Sequence, residues 1–321
     1  MKKTILVLAI AGCMGGTEDQ GPVERVQSAL LFFDPLGNAA IYQQLVGRGL
    51  NGRSWNMDVL DGRLVVAVSL KGVRFDKGPA KNLKLDGTKF KGAKDAVGAT
   101  FTAKLDNGAT LPLQVFGVTT RGSPKAAYDA YEVRYPADGE WKPLCGLDEA
   151  GAPVLAIPLA GRWDYQEGVP TGGAHIEEPD VFTFACEDRV LAKCVAMGYA
   201  PWLEGFICDT DKKGKKACTK TTLAPWHQAC TRAMRADYCG DGTSYTLDGE
   251  WTLVYDGVGI RYDTEDWVLE AEWDENGARC LSHVRLATLG QVHCADRLVS
   301  EVCGEMSHFE SGTLLMTEVP E

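Results

Sequence analysis

The chain has 321 residues, 45% of them hydrophobic, which suits one large globular domain or two ordinary ones and is too apolar for wholesale disorder. A formal net charge of −11 and a pI near 5.0 speak against nucleic acid as a partner, because phosphate binding needs a basic surface.

Residues 1–12 read as a lipoprotein signal peptide. Lys2 and Lys3 form a basic start and Ile5 to Ala11 a short apolar stretch, far below the roughly 20 residues that span a bilayer. Ile10-Ala-Gly-Cys13 matches a lipobox, so Cys13 is the expected acylation site and membrane contact is expected through that lipid only. Residues 13–40 are expected to form a flexible tether, since Met14 to Gln27 is polar and glycine-rich.

Residues 41–160 are expected to form an N-terminal β domain. Apolar residues recur every five positions from Leu45 through Leu50, Trp55, Leu60, Val65, Leu70, Phe75, Ala80 and Leu85 to Phe90, often with glycine two places later. That period matches neither helix nor strand and resembles the pentapeptide repeat, a square β coil. Arg48, Arg53, Asp58 and Arg63 depart from it where a small inward side chain belongs, and short strands with coincidental spacing explain the same residues. Val65 to Val68 reads as plain strand. From Ala99 onward the pattern is β: Ala99–Leu105, a turn at Asp106-Asn-Gly108, a return over Leu111–Val118, then Ala130–Tyr135 turned by Pro136-Ala-Asp-Gly139, and Val154–Leu159.

Residues 161–321 are expected to form a cysteine-rich α+β domain, so the fold class is mainly β with an α+β C-terminal part. Gly161 to Glu178 reads as a connecting loop. Helices are expected over Asp188–Gly198 and Pro225–Arg235, with Leu191, Cys194 and Val195, and Cys230 and Met234, on their inner faces and the cysteines tying each helix to a neighbouring sheet. Strands follow at Tyr245–Leu247, Trp251–Tyr255, Trp267–Trp273 and Cys280–Leu286, the last two joined by an Asn276-Gly277 hairpin. Apart from Cys13 the cysteines are Cys145, Cys186, Cys194, Cys208, Cys218, Cys230, Cys239, Cys280, Cys294 and Cys303, an even set that reads as disulfides in an exported chain. Cys208 and Cys218 flank a polar turn that one bridge would close. No metal and no cofactor is expected. Cys-x-x-Cys spacing is absent, and the Asp209-x-Asp211 run puts Lys213 and Lys220 where calcium ligands belong.

Arg235-Ala-Asp-Tyr-Cys-Gly-Asp241 resembles the signature of the ADYC-domain family, a group of myxobacterial-type exported proteins. Further matching pieces are Phe182-Thr-Phe-Ala-Cys186, Ala192-Lys-Cys194 with Gly198-Tyr199 and Pro201-Trp202, His227-Gln-Ala-Cys230, and Gly277-Ala-Arg-Cys280 with His283 and Arg285, spanning roughly residues 140–316. The resemblance implies an envelope or secreted location and supplies no catalytic residues to carry over.

Candidate chemistry is thin. His227, Asp237 and His283 are the residues that would supply a base and its orienting acid. There is no Gly-x-Ser-x-Gly elbow, no His-Glu-x-x-His and no phosphate-cradling glycine loop. Seven tryptophans crowd the chain from Trp141 onward, and Trp267 and Trp273, six apart on one expected strand, would share a face and offer a binding platform. The expected function is that of a lipid-anchored cell-envelope protein, at the outer membrane or cell surface, of binding or structural type with a protein or carbohydrate ligand. The alternative is an exported hydrolase using His227, Asp237 and His283.

Overall fold

A computed structural model describes residues 42–44, 50 and 64–321, apart from 93–95, 123–126, 211–214, 265, 290, 296, 300–301, 304–308 and 310–311. The signal peptide, the tether with Cys13, and the five-residue spacing over 45–49 and 51–63 lie outside the described residues.

The chain is mainly β, as its strand alternation and turn pattern predict. One eight-stranded antiparallel sheet carries β1 (Val65–Phe75), β2 (Thr100–Leu105), β3 (Thr110–Arg121), β4 (Tyr128–Ala137), β5 (Ala156–Ala160) and β6 (Val181–Cys186), in the order β5-β6-β1-β2-β3-β4. Pairing of Ala156 with Tyr131 joins β5 back to β4, so these six close into a barrel, with short strands Gly78–Pro79 and Glu140–Pro143 attached outside the ring. Closure removes the exposed edges that an open sheet would present.

Alternation selects the inside. On β2 Phe101, Ala103 and Leu105 are buried while Thr102 and Lys104 face out. Phe101, Phe182 and Phe184 meet in the interior with ring centroids 4.8–5.8 Å apart. The hairpin Lys84–Asp86/Lys89–Lys91 inserts Phe90 among them, 5.0 Å from Phe101, and Thr88 at its turn accepts the Tyr131 hydroxyl on its carbonyl at 2.7 Å. Asp106 and Asn107 turn β2 into β3. Asp138 (φ 53°) and Gly139 (φ 79°) supply the two positive φ angles of a tight hairpin after β4.

Two expectations change here. Val65, Leu70 and Phe75 all lie on β1, and Leu85 pairs with Phe90 across a hairpin, so over the described residues the five-residue spacing comes from antiparallel strands and turns and not from a coil. The break expected at residue 160 cuts the barrel: β6, beyond it, pairs with both β5 and β1. Strand pairing, which sequence spacing does not report, carries the barrel to Cys186.

Two helices follow, α1 (Val190–Ala196) and α2 (Ala224–Arg235), separated by an antiparallel hairpin of β7 (Glu204–Thr210) and β8 (Lys216–Thr222). Leu191, Ala192 and Val195 of α1 bury against Ala130, Ile157, Leu159 and Ala185 on the outer face of the barrel, with Trp163 closing the seam. The other side of α1 meets α2 through Cys194–Cys230. That bridge ties the helices to each other and not to a sheet, because the Cys194 side of α1 faces α2 while Leu191 and Val195 face the barrel.

α2 lies on a five-stranded antiparallel sheet, ordered Tyr42–Gln44, β9 (Trp251–Asp256), β12 (Leu315–Val319), β10 (Val268–Asp274), β11 (Gly277–Leu281). The Asn276-Gly277 hairpin joins β10 to β11 as predicted. Tyr245–Leu247 forms no strand, and β11 ends at Leu281. The central strand β12 is wholly buried and carries no alternation or turn signal that marks it in the sequence. All ten cysteines after Cys13 are paired: Cys145–Cys186, Cys194–Cys230, Cys208–Cys218, Cys239–Cys294 and Cys280–Cys303.

Candidate functional site

The Arg235-Ala-Asp-Tyr-Cys segment is the C-terminal end of α2, and each of its residues has a distinct physical task. Ala236 takes a left-handed conformation (φ 50°) that stops the helix. Its N–H reaches the Ala233 carbonyl and the Asp237 N–H reaches Arg232, the two backbone bonds that satisfy a helix end. Glycine is the usual residue there, but the Ala236 side chain is fully buried, so its methyl contributes packing that glycine lacks.

Asp237 is sealed beneath the helix end. Its carboxylate accepts a hydrogen bond from Arg232 Nη1 at 2.5 Å, from the Asp241 N–H at 3.1 Å and from the Gly242 N–H at 3.0 Å. It therefore shapes its own turn, and both partners in the ion pair are buried. Burial pushes the carboxyl above the usual carboxylate range, with Arg232 opposing that rise. Arg232 also donates to the Gly172 carbonyl, while Arg235 reaches Glu167 at 2.9 Å and the Gly242 carbonyl. Gln228 donates to the Gly173 carbonyl and accepts from Trp163 Nε1. The glycine- and proline-rich connection at 161–178 is thus held by α2 side chains.

Tyr238 points the other way, into the sheet. Its ring stacks on Trp273 with centroids 5.4 Å apart, and its hydroxyl donates to Glu270 Oε1 at 2.6 Å and accepts the Arg285 N–H at 2.9 Å. Burial, then the neighbouring Glu270 charge, raises the phenol well above its ordinary range. Glu270 Oε2 receives Arg285 Nη2 at 2.7 Å, and Arg285 also donates to the carbonyls of Ala233 and Met234 at the end of α2. A cation at that position complements the helix dipole. Cys239 completes the segment through its bridge to Cys294, and Gly240 (φ 68°) follows because a Cβ there would collide with the Asn276 carbonyl. Tyr238→Phe is expected to cost about 2 kcal/mol, because it removes a hydrogen bond to a buried charge while keeping the ring. Urea unfolding of the variant measures this, and a loss below about 0.5 kcal/mol would show that the hydroxyl is idle.

The three candidate catalytic residues do not form a constellation. His227, 1% exposed, sits in the seam between α2 and α1 with Nε2 2.9 Å from the Leu191 carbonyl. A ring nitrogen facing a carbonyl is the donor, so Nε2 carries the proton. Burial lowers this histidine to about 4. His283 lies at the surface, with Nδ1 2.9 Å from the Leu269 carbonyl. No hydrogen bond or ion pair joins any two of His227, Asp237 and His283, and neither the small interior gap lined by Val65, Val68 and Phe184 nor the surface depression at Asp274–Arg279 includes one of them. A hydrolase built on these residues would need them together in an open cleft, and each is committed elsewhere.

The tryptophan platform also changes. Trp273 is fully buried and donates Nε1–H to Thr317 Oγ1 at 2.8 Å, whereas Trp267 is half-buried ahead of β10. Irregularities in β10 at Leu269/Ala271 and Glu272/Trp273 break the alternation that would have aligned the pair. Glu272, Cys280 and Cys303 bring three potential metal-ligand atoms within 4.8 Å of one another, but the two sulfurs are bonded together and Glu272 accepts the Thr313 hydroxyl at 2.6 Å. Sequence reasoning missed Arg232 as the partner of Asp237 and Glu270 as the partner of Arg285. Spacing does not report either pair's surroundings, since Arg232 also reaches Gly172, 60 residues away.

No curated protein and no solved structure matches the chain. A family model does: residues 93–287 match the ADYC domain, a span that takes in most of the barrel, both helices and the sheet as far as β11. With that match, and with every residue of the Arg235-Ala-Asp-Tyr-Cys signature engaged at one helix end, the chain belongs to the ADYC-domain family.

Proposed function

We propose that the protein is a lipid-anchored component of the cell envelope, tethered through Cys13 and acting by binding or structural support. The observation that carries this is the cysteine state. All ten cysteines after Cys13 are engaged in disulfides, which persist in oxidising compartments and are rare where thiols are kept reduced. The basic start, short apolar stretch and small residues before Cys13 supply the matching address signal. Support for binding over turnover comes from the ionisable residues: the most buried ones brace the helix end and the sheet. A protein or carbohydrate is the proposed ligand class for this acidic chain with seven tryptophans from Trp141 onward, and the outer membrane or cell surface is the proposed location.

Cys13→Ser tests the anchor. The variant is expected to move from the membrane fraction to the soluble fraction and to lose incorporation of labelled palmitate. Unchanged membrane association would refute lipid anchoring through Cys13. Thiol titration of the denatured, unreduced protein tests the compartment, since several free thiols among the ten would contradict it.

A further inference from the structure

The five disulfides are not equivalent. In four of them at least one sulfur-bearing residue is buried, and in Cys145–Cys186, Cys194–Cys230 and Cys280–Cys303 both are. Cys208–Cys218 has neither: Cys208 is half-buried and Cys218 exposed, midway along the β7–β8 hairpin, whose strand β8 is exposed at every residue but Thr221. The bridge joins directly opposed residues, since Cys208 is the register partner of Cys218.

Strand alternation places a particular set of groups on its face. Lys216 and Lys220, two residues before and after Cys218, share its side of β8, and Glu204 and Phe206 share that of Cys208 on β7. Lys220 pairs with Glu204 at 2.5 Å. Phe206 is 54% exposed and lies opposite Lys220. The bridge is thus open to solvent, flanked by Lys216, whose charge favours a departing thiolate, and by the Lys220–Glu204 ion pair, and adjoined by an apolar side chain with no burial to explain it.

We propose that Cys208–Cys218 is a thiol–disulfide exchange site, reversibly opened by a dithiol reductant protein. The existence of such a partner in the compartment rests on the exported location proposed above. The reductant thiolate attacks Cys218 Sγ, the Cys208–Cys218 bond breaks as the mixed disulfide forms, and Cys208 leaves as a thiolate carrying the electron pair. The second thiol of the reductant then attacks the mixed disulfide and releases Cys218. The bridge gains two electrons and two protons, and the reductant ends as a disulfide. Seven paired positions between β7 and β8 hold the hairpin when the clamp opens, so the chemistry is local.

The test uses the purified mature protein, exposed under native conditions to dithiothreitol or to a reduced thioredoxin, then alkylated and mapped by mass spectrometry. Cys208 and Cys218 are expected to label at least about tenfold faster than the other eight cysteines, with the near-UV circular dichroism retained. Labelling of another bridge at the same rate, or collapse of the dichroism as these two label, would overturn the proposal. Replacing Lys216 and Lys220 together by glutamine is expected to slow the reaction about threefold with either reductant. Phe206→Ala is expected to slow thioredoxin and leave dithiothreitol unchanged, and equal rates with both would remove the protein partner. A Cys208→Ser/Cys218→Ser variant is expected to fold with its four remaining bridges, and failure to fold would mark the bridge as structural and end the proposal. These rates concern the bridge itself, whereas fractionation of Cys13→Ser concerns the address, so either can fail alone.

Discussion

Glu270→Ala is expected to remove about 3–5 kcal/mol of folding stability, because it strands a fully buried guanidinium. Glu270 and Arg285 are 0% and 1% exposed at their side chains, and the pair sits between the end of α2 and the sheet. One carboxylate oxygen receives Arg285 and the other Tyr238, so a single truncation unmakes both bonds. Desolvation makes the pair itself worth far less than its breakage costs, which gives a discriminating control. Glu270→Met combined with Arg285→Met leaves no uncompensated charge and is expected to recover most of the loss. Urea unfolding with the disulfides intact reads both variants. A loss below about 1 kcal/mol in Glu270→Ala would mean that the guanidinium finds water or another partner, and the helix end would then not depend on it.

His227 is expected to carry a large share of the acid sensitivity of the protein. Burial lowers its folded value to about 4, against 6.5 for an exposed histidine. Between those values the unfolded chain binds a proton that the folded one refuses. The stability contributed by the neutral ring is therefore complete above pH 6.5 and is lost as pH falls towards 4, by about 3 kcal/mol in all. Asp237 and Asp256 titrate in the opposite sense, since burial raises them and the folded state holds their protons more tightly. The difference between wild type and His227→Gln isolates the histidine: glutamine can still donate to the Leu191 carbonyl and does not ionise. Denaturation midpoints measured from pH 7 to pH 4 should diverge from those of the variant by flattening in His227→Gln. Parallel curves would show that the ring is hydrated in the folded state.

Much of this protein is legible without its structure, and the reasons are local. The Asp106-Asn-Gly108, Asp138-Gly139 and Asn276-Gly277 turns announce themselves because positive φ angles restrict which residues can occupy them. α2 is legible because Pro225 opens it and Cys230 and Met234 fall on one stripe. The Cys208–Cys218 bridge follows from a polar turn short enough to be closed by one link. Strand β12 is not legible. Its five residues are all buried, so alternation is lost, and its two neighbours in the sheet come from more than 40 residues away along the chain.

The same division runs through the candidate site. Asp237, His227 and His283 stand out in the sequence as residues with chemistry, and sequence alone determines that they are ionisable, that the cysteines after Cys13 are even in number, and that Arg235-Ala-Asp-Tyr-Cys marks a family. Only the tertiary structure decides what those groups do, because a charge acts through its neighbours and its access to water. Packing of α2 onto the sheet gives Asp237 to Arg232 and its own turn, gives Tyr238 to Glu270 and Arg285, and shuts His227 into a seam that keeps it neutral. It also leaves one disulfide of five without a buried half, a distinction no cysteine spacing contains.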